Sequence, residues 1–262
     1  KLINYILNIF NFQMIITRKK SQNFDLVDKN SWLPFLEYDN YFSKYIKSLE
    51  KTDQVETDNL LKRLRMYSLV QLVNYIIKKN EFKNKQDLNF AECGCWKGTS
   101  AYLISSMLKG NFEGKFYIFD SFEGLSEFKK KDFIENLNFS NSKMLDNHSR
   151  KYFASNESKV KSVLSEFNFI NIQKGWIPSK FKNFSDKKFT FVHVDVDLYE
   201  PTLECLKFFY PRLEKNGIIV ADDYNSTTYP GVKTAWDEFF LDKKKDITFS
   251  YESPLGSAFI IK

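Results

Sequence analysis

The most informative part of the sequence is the stretch Phe191-Val-His-Val-Asp195-Val-Asp197-Leu-Tyr199-Glu200, read together with Gly217-Ile-Ile-Val-Ala-Asp222-Asp223-Tyr224. Each is a short apolar run that ends abruptly in carboxylates, and the segment between them, about 201–215, has helical periodicity. Carboxylates at the C-terminal ends of neighbouring parallel strands meet in the crevice where open α/β sheets bind ligands. Because carboxylates gathered there repel one another unless a cation lies among them, the sequence predicts a site for a hard divalent metal ion.

Strands and helices alternate on both sides of this stretch. We predict strands at 88–93, 115–119, 169–173, 189–194, 217–221, 247–251 and 257–261, and helices at 99–108, 157–166, 202–213 and 232–241. Such alternation predicts an α/β fold with a mostly parallel sheet covered by helices on both faces. The last two strands form a hairpin, which places one antiparallel strand in the sheet. The long polar stretch at about 124–155 predicts an insertion or a lid over the site.

The chain is expected to consist of an N-terminal helical accessory region, 1–58, and one α/β domain, 59–262. From Asn59, apolar residues recur at steps of three and four, as a core-facing helix requires. The segment Leu2 to Ile16 is too short and too rich in asparagine to span a bilayer. We expect it to form a helix that packs on its own domain, with a membrane-interface helix or a homodimer contact as alternatives. The chain begins at Lys1 rather than Met, which leaves targeting open.

Composition favours a globular protein in a reducing, cytoplasmic setting. Hydrophobic residues make up 43% and charged residues 27% of the 262 residues, and the net charge is +6. The lysines are scattered or in short runs, which favours a solvated surface; a basic face that attracts phosphate-rich substrates or a membrane surface is the alternative. Three cysteines are too few for a disulfide framework, and their spacing matches no zinc site.

The loop after the first predicted strand, Ala91-Glu92-Cys-Gly94-Cys-Trp-Lys-Gly98-Thr99, predicts the ligand. Gly94 allows a tight turn, and Gly98 allows close approach of the backbone to a ligand. The spacing G-x-x-x-G is not the dinucleotide fingerprint, and a pyrophosphate would not favour Glu92 beside it, whereas an ammonium group would. Asp120, at the end of the second strand, is placed to accept hydrogen bonds from ribose hydroxyls. An acid for an ammonium and an acid for a ribose together indicate S-adenosylmethionine.

These residues resemble the macrocin O-methyltransferase-like family of metal-dependent sugar methyltransferases. The similarity runs from about Asn59 to the C-terminus. Its motifs are Glu92-Cys-Gly94-Cys-Trp96-Lys97-Gly98, Asp120-Ser121-Phe122-Glu123-Gly124-Leu125, Lys174-Gly175-Trp176, Asp195-Val-Asp197-Leu-Tyr199-Glu200-Pro-Thr202 and Asp222-Asp223-Tyr224. Two positions depart from the family: Lys97-Gly98-Thr99 stands where Arg-Gly-Gly is usual, and Val196 where Gly is frequent.

The resemblance implies a Rossmann-like class I methyltransferase fold with a seven-stranded sheet. It further implies S-adenosylmethionine as methyl donor and a Mg²⁺-type ion. The residues that match the family's metal ligands are Asp195, Asp222 and Asp223, and Asp197 matches its general base. The predicted donor-binding residues are Glu92, Gly94, Gly98, Asp120, Ser121, Phe122 and Trp176.

Several residues keep alternative interpretations. Asp197 is either the base or a further metal ligand, and Asp223 either a ligand or a cap of the segment that follows. Trp176 either stacks on adenine or anchors its loop. His193 is interpreted as a core residue, and His148, in the polar insertion, as a residue that could reach the acceptor. Tyr199 and Tyr224 are interpreted as structural or acceptor-lining.

The function predicted from the sequence is O-methylation of a hydroxyl on a sugar, a glycan precursor or a related polar metabolite, in surface-polysaccharide or natural-product biosynthesis. Two alternatives remain: methylation of a phosphoryl-type oxygen in a capsule precursor, and a non-catalytic binding module of the same fold. A nucleotide-dependent dehydrogenase is disfavoured by Glu92 and by the missing G-x-G-x-x-G pattern. We expect a small-molecule or glycan-precursor acceptor, no nucleic-acid partner and no transmembrane segment.

Overall fold

The computed structural model describes residues 41–79, 88–110, 112–133, 147–243, 246–253 and 256–262. Most of the predicted accessory region, including the segment Leu2 to Ile16, lies outside these residues. No helix within the described ranges combines the length and the apolar character that a membrane crossing requires.

Seven strands form one sheet in the order β3-β2-β1-β4-β5-β7-β6. The strands span Asn89–Cys93 (β1), Lys115–Asp120 (β2), Ile170–Lys174 (β3), Phe189–Val194 (β4), Leu213–Ala221 (β5), Phe249–Glu252 (β6) and Ala258–Ile261 (β7). Strands β1 to β5 pair in parallel, and β7 is antiparallel to both of its neighbours. The strand order reverses between β1 and β4, which is the topological switch point where sheets of this kind bind ligands. The predicted sheet is confirmed.

The described helices lie around this sheet. They span Tyr41–Lys51 (α1), Leu60–Lys78 (α2), Thr99–Leu108 (α3), Asn147–Tyr152 (α4), Glu157–Leu164 (α5), Tyr199–Phe209 (α6) and Pro230–Phe240 (α7). Asn59 caps α2 by accepting a hydrogen bond from the Lys62 N–H. One apolar cluster, with members from α1, α2, α3 and α5, covers one face of the sheet, and a second, with members from α6 and α7, covers the other. All three cysteines are buried and free.

Helix α1 belongs to the core of the α/β domain. Its residues Tyr41, Tyr45 and Leu49 are fully buried in the same apolar cluster as Phe90 of β1. The Tyr45 hydroxyl also donates to Asp58 at 2.8 Å, which ties the helix to the segment before α2. The part of the predicted accessory region that the structure describes therefore packs on the α/β domain, and the predicted boundary at residue 58 stays a prediction.

The bounds of α6 and β5 differ from those predicted. The helix was expected to reach Leu213, but it ends at Phe209, and a 3₁₀ turn at Tyr210–Arg212 follows. Pro211 lacks the N–H that a continuing helix would need. Strand β5 then begins at Leu213 rather than Gly217, because Glu214, Lys215 and Asn216 form strand with polar side chains that mask the apolar pattern.

Candidate active site

A cavity of about 610 Å³ opens at the C-terminal ends of β1, β2, β4 and β5. Its walls come from the loops that follow these strands, from helix α2 and from the segment around Phe153 and Tyr229. The residues predicted for the site that line it are Gly94, Asp120, Ser121, Trp176, Asp195, Asp197 and Asp223. The structure thus brings the predicted donor loop and most of the predicted acidic residues to one cavity.

The loop after β1 is a tight turn against the loop after β4. Gly94 has φ +82°, and a Cβ there would lie 1.8 Å from the Asp195 carbonyl oxygen, so a side chain at this position has no room. Gly98, with φ +90°, precedes α3 and offers no side-chain cap to that helix. Trp96, between them, has φ +48°, an uncommon conformation for a bulky residue that often marks functional loops.

Asp120 holds this loop in place. Its Oδ2 atom accepts hydrogen bonds from the N–H groups of Cys95, at 2.7 Å, and Trp96, at 3.0 Å. Its Oδ1 atom accepts from the Phe122 N–H at 2.6 Å. A carboxylate has about four lone-pair positions, so Oδ1 keeps capacity for a ligand hydroxyl. The predicted ribose contact is compatible with this geometry, and Asp120 has an additional task that the sequence did not indicate.

Glu92 lies beneath the loop rather than in the cavity wall. It is fully buried, and its Oε1 atom lies 2.9 Å from Nδ1 of the buried His193. Its Oε2 atom has no hydrogen-bond partner among the described residues. Burial lowers the pKa of His193, but the hydrogen bond to Glu92 and the charges of Asp195 and Asp222 outweigh it and raise the pKa to about 9. His193 is therefore a charged core residue that faces the acidic cluster.

The acidic residues form two overlapping groups that share Asp195. Ligand atoms of Asp195, Asp197 and Asp223 all lie within 4.8 Å of one another, and so do those of His193, Asp195 and Asp222. The predicted ligands Asp195, Asp222 and Asp223 are thus divided between the two groups, and Asp197 belongs to the one that faces the cavity. Asp197 and Asp223 have φ +61° and +56°, in the left-handed region that Asp tolerates better than most residues.

The crowding changes the acidity of these groups. Burial, followed by the charge of Asp222, raises the pKa of Asp195 to about 8. Burial and the charges of Asp223 and Asp195 raise the pKa of Asp197 well above its ordinary value. Burial likewise raises the pKa of Asp223, although Arg65 counteracts it. The cluster binds protons strongly until a cation neutralises it.

Arg65 of α2 supplies one cation to this cluster. Its Nε atom lies 3.3 Å from Asp222 Oδ2 and its Nη1 atom 3.5 Å from Asp223 Oδ1. The Asp222 charge raises the pKa of Arg65, so the guanidinium stays protonated. The sequence does not indicate this role, since no motif marks Arg65, a charged residue within a core-facing helix.

Four aromatic rings form a wall beside the cavity, and three of them, Trp96, Phe153 and Tyr229, line it. The sequence did not indicate this aromatic wall. The Trp96 ring lies 5.6 Å from those of Tyr152 and Phe153, and the Phe153 ring 6.3 Å from that of Tyr229. Trp96, Phe153 and Tyr229 come from three separate loops and Tyr152 ends α4, so only the fold brings these rings together. Tyr229 lines the cavity together with Asp197 and Asp223, and burial, followed by the charges of these two residues, raises its pKa.

The remaining candidates lie around the cavity in different roles. Trp176 is 39% exposed and lines the end of the cavity beyond β3. The Ser121 hydroxyl donates to the Gly124 carbonyl oxygen at 3.1 Å, and Phe122 is buried in the apolar core.

The Tyr224 hydroxyl donates to Asp237, and the Tyr199 hydroxyl to Glu238, so both tyrosines have structural partners. His148 lies in α4, and its predicted reach to the acceptor stays a prediction.

The family follows from comparison with known proteins. The model of the family described as Macrocin-O-methyltransferase (TylF) matches residues 56–250. The chain belongs to this family. Among the curated relatives of this TylF-family chain is demethyldecarbamoylnovobiocin O-methyltransferase of Streptomyces niveus, 24% identical over 157 residues that make up 58% of this chain and 57% of the relative. Another is 8-demethyl-8-(2,3-dimethoxy-alpha-L-rhamnosyl)-tetracenomycin-C 4'-O-methyltransferase of Streptomyces olivaceus, 24% identical over 147 residues, 52% of each chain. This chain thus spans little more than half the length of either relative.

Solved structures confirm the fold of the TylF-family chain. The O-methyltransferase NovP superimposes with a TM-score of 0.59 at 23% identity, over 76% of this chain and 79% of NovP. The calicheamicin methyltransferase CalS11 superimposes with the same TM-score at 14% identity, over 90% of this chain and 99% of CalS11. The fold is that of class I methyltransferases, as the resemblance implied.

The residues of the cavity fit both a methyl donor and a divalent cation. A volume of about 610 Å³ lies within the range of small-molecule sites. Crowded carboxylate oxygens are the donor set that Mg²⁺ prefers, and the pKa values of Asp195 and Asp197 are raised although Arg65 and His193 lie beside the cluster. Asp195, Asp197 and Asp223 are the residues that would hold the ion on the cavity side.

Proposed function

We propose that this chain is an S-adenosylmethionine- and Mg²⁺-dependent O-methyltransferase that acts on a hydroxyl of a sugar, a glycan precursor or a related polar metabolite. One observation carries the proposal: the loop that contains Gly94, which Asp120 holds, lines the same cavity as Asp195, Asp197 and Asp223. In addition, Gly94 lies against the Asp195 backbone. A donor held by this loop and an acceptor oxygen held by these acidic residues would lie next to each other. Membership of the macrocin O-methyltransferase family supports the activity.

The order of the strands indicates how the donor would lie across the cavity. Trp176 follows β3, Asp120 ends β2, and Gly94 follows β1, so these residues succeed one another across neighbouring strands. Strands of a sheet are about 4.8 Å apart, and an extended nucleoside with an amino-acid tail can cross three of them. We place adenine near Trp176, the ribose at Asp120 and the sulfonium at Gly94, facing the acidic group.

The chain's own residues would position and deprotonate the acceptor. A bound Mg²⁺ would supply Lewis-acid chemistry that lowers the pKa of an acceptor hydroxyl. Asp197 lies in the cavity-facing group, where burial and the charges of Asp223 and Asp195 raise its pKa well above the ordinary value. A cation in this group would lower that pKa and favour the carboxylate form, which would take the hydroxyl proton.

The aromatic wall favours a sugar-bearing acceptor. Sugar rings present apolar C–H faces that pack on aromatic rings, while their hydroxyls remain available to polar groups. Trp96, Phe153 and Tyr229 offer such a surface beside Asp197 and Asp223. The name of the Streptomyces olivaceus relative refers to a methylated rhamnosyl group, which agrees with this class. We place the protein, as a cytoplasmic enzyme, in surface-polysaccharide or natural-product biosynthesis.

Two measurements test the proposal. Isothermal titration should show binding of S-adenosylhomocysteine and no binding of NAD or RNA. Incubation with S-adenosylmethionine, Mg²⁺ and a panel of nucleotide sugars and glycosides should add one CH₂ unit to an acceptor, as detected by mass spectrometry. Failure to bind S-adenosylhomocysteine would refute the donor assignment, and binding without methylation of any hydroxyl acceptor would favour the non-catalytic alternative.

A further inference from the structure

A second cation of helix α2 lines the cavity besides Arg65. Lys62 lies one turn before Arg65 on the same face of the helix, and both contribute to the cavity wall with Gly94, Thr99 and Ser100. The two residues differ in their partners. Arg65 contacts carboxylates of Asp222 and Asp223, whereas Lys62 donates a hydrogen bond to Thr57 Oγ1 at 2.5 Å and has no carboxylate within ion-pair distance among the described residues.

The surroundings of Lys62 favour an anionic ligand. Burial, followed by the nearby charge of Arg65, lowers its pKa to about 8, with Lys97 acting in the same direction, while Asp58 and Asp195 act against it. A half-buried ammonium group among other cations is unfavourable unless a negative charge joins it. We therefore expect the ligand that fills the cavity to bring an anionic group to Lys62.

The strand order indicates which part of the ligand meets Lys62. The cavity passes from Trp176 beyond β3, past Asp120 at β2, to Gly94 at β1. Lys62 lines the same cavity and is close enough to Lys97 and Asp195, which flank the Gly94 turn, to be affected by their charges. Thr99 and Ser100 begin α3 there, and the first N–H groups of a helix lack intrahelical acceptors and favour an anion. A donor laid with its adenosine toward β3 and β2 brings its amino-acid end to this position.

We propose that Lys62 binds the carboxylate of the methyl donor's amino-acid moiety, together with the free N–H groups at the start of α3. The inference rests on the proposed function, since it assigns a residue to the donor of that reaction. Lys62 thereby fixes the end of the donor that carries the sulfonium and sets which adenosine ligands bind tightly. An anionic group on the acceptor, such as a phosphate, is the competing source of the same chemistry.

The test compares two ligands that differ in the proposed contact. S-adenosylhomocysteine carries the amino-acid moiety, and 5'-methylthioadenosine has the same nucleoside and thioether without it. Their dissociation constants are measured by isothermal titration for the wild type, Lys62→Met and Lys62→Gln. Lys78→Met, which removes an exposed lysine at the other end of α2, serves as the matched control.

We expect both Lys62 substitutions to weaken S-adenosylhomocysteine binding roughly 10- to 100-fold, as for loss of a charged hydrogen bond, and to leave 5'-methylthioadenosine binding unchanged. Unchanged S-adenosylhomocysteine binding would overturn the inference and assign the anion to the acceptor. Equal losses for both ligands would also overturn it, since they would indicate a general disturbance of the cavity. A wild type that binds neither ligand would refute the proposed function itself, which distinguishes the two failures.

Discussion

The Arg65 guanidinium contacts the Asp222 carboxylate, with 3.3 Å between Nε and Oδ2. Arg65 Nη1 also lies 3.5 Å from Asp223 Oδ1. The guanidinium therefore contacts two consecutive acidic residues that follow β5. The chain thus carries part of the positive charge that its acidic cluster needs. His193 lies on the Asp195–Asp222 side of the cluster, whereas Asp197 forms no ion pair with the described residues. The carboxylates that face the cavity are therefore the less compensated part of the cluster, where a metal ion and an acceptor would meet.

Replacement of Arg65 should therefore increase dependence on metal. We expect Arg65→Met to lower the melting temperature of the metal-free protein, since it leaves Asp222 and Asp223 uncompensated, and to increase the stabilisation gained from added Mg²⁺. Melting temperatures measured with and without Mg²⁺ in excess over the protein give both effects. As the control, Arg65→Lys keeps a positive charge and should restore most of the stability. Identical Mg²⁺ responses in Arg65→Met and the wild type would show that the guanidinium and the metal do not share the cluster.

Removal of the metal should abolish turnover. EDTA is expected to eliminate methyl transfer and added Mg²⁺ to restore it, because crowded carboxylates hold an acceptor oxygen only with a cation among them. Activity is measured as S-adenosylhomocysteine release, with S-adenosylhomocysteine affinity as a control that chelation should change little. Full activity after exhaustive chelation would refute the metal site.

Asp195 and Asp197 should be separable by their response to metal. Asp195→Asn is expected to raise the Mg²⁺ concentration for half-maximal activity, since Asp195 belongs to both acidic groups. Asp197→Asn is expected to lower kcat by about 10²–10⁴, the usual contribution of a positioned base, with donor binding intact. The measurement is kcat against Mg²⁺ concentration for both variants. Rescue of Asp197→Asn by excess Mg²⁺ would identify Asp197 as a ligand instead.

Asp120 should affect both the donor and the loop. Asp120→Ala removes the acceptor of three backbone hydrogen bonds, so we expect a lower melting temperature as well as weaker donor binding. The loss of binding should be about 1.5–3 kcal/mol, the range for hydrogen bonds to a charged group. Titration of both 5'-methylthioadenosine and S-adenosylhomocysteine should show the same loss, since both carry the ribose. An unchanged affinity in the folded variant would contradict the ribose assignment.

The charge of Lys62 predicts a pH dependence of donor affinity. Its pKa, lowered to about 8, means that the ammonium loses its proton as the pH rises through 8, while an unfolded lysine keeps it. S-adenosylhomocysteine should therefore bind more weakly above pH 8, and its binding at that pH should be accompanied by proton uptake. The ligand's own amine also titrates, so the relevant quantity is the difference between wild type and Lys62→Met. A difference that stays constant from pH 6.5 to 9 would contradict the prediction.

The sequence predicted features whose cause is local. Strand β4 was predicted with its observed bounds because Phe189–Val194 is a short, mainly apolar stretch, and all six of its residues are buried. The carboxylates at its end were predicted to converge for the same reason, since parallel strands end at a common edge. Pattern reasoning failed where polar residues form strand, as at the start of β5, and where the relevant neighbour is distant in sequence.

Glu92 illustrates the second limit. Its position before a glycine loop predicted a ligand contact, yet the structure places its carboxylate against His193, on the neighbouring strand. Arg65 and the aromatic wall illustrate it as well, because residues from α2 and from three separate loops meet only after the sheet has formed. A single sequence shows which residue types are present, but not which distant segments become neighbours.

The contact between Gly94 and the Asp195 carbonyl has a consequence for how acceptor preference could change over evolution. The loops after β1 and β4 are joined main chain to main chain, since the Asp195 N–H donates to the Cys93 carbonyl at 2.8 Å and no side chain fits between them. Under the proposed function, the backbone therefore fixes the distance between the donor sulfonium and the acceptor oxygen. Substitutions in the aromatic wall can then change which sugar binds without changing the distance over which the methyl group is transferred.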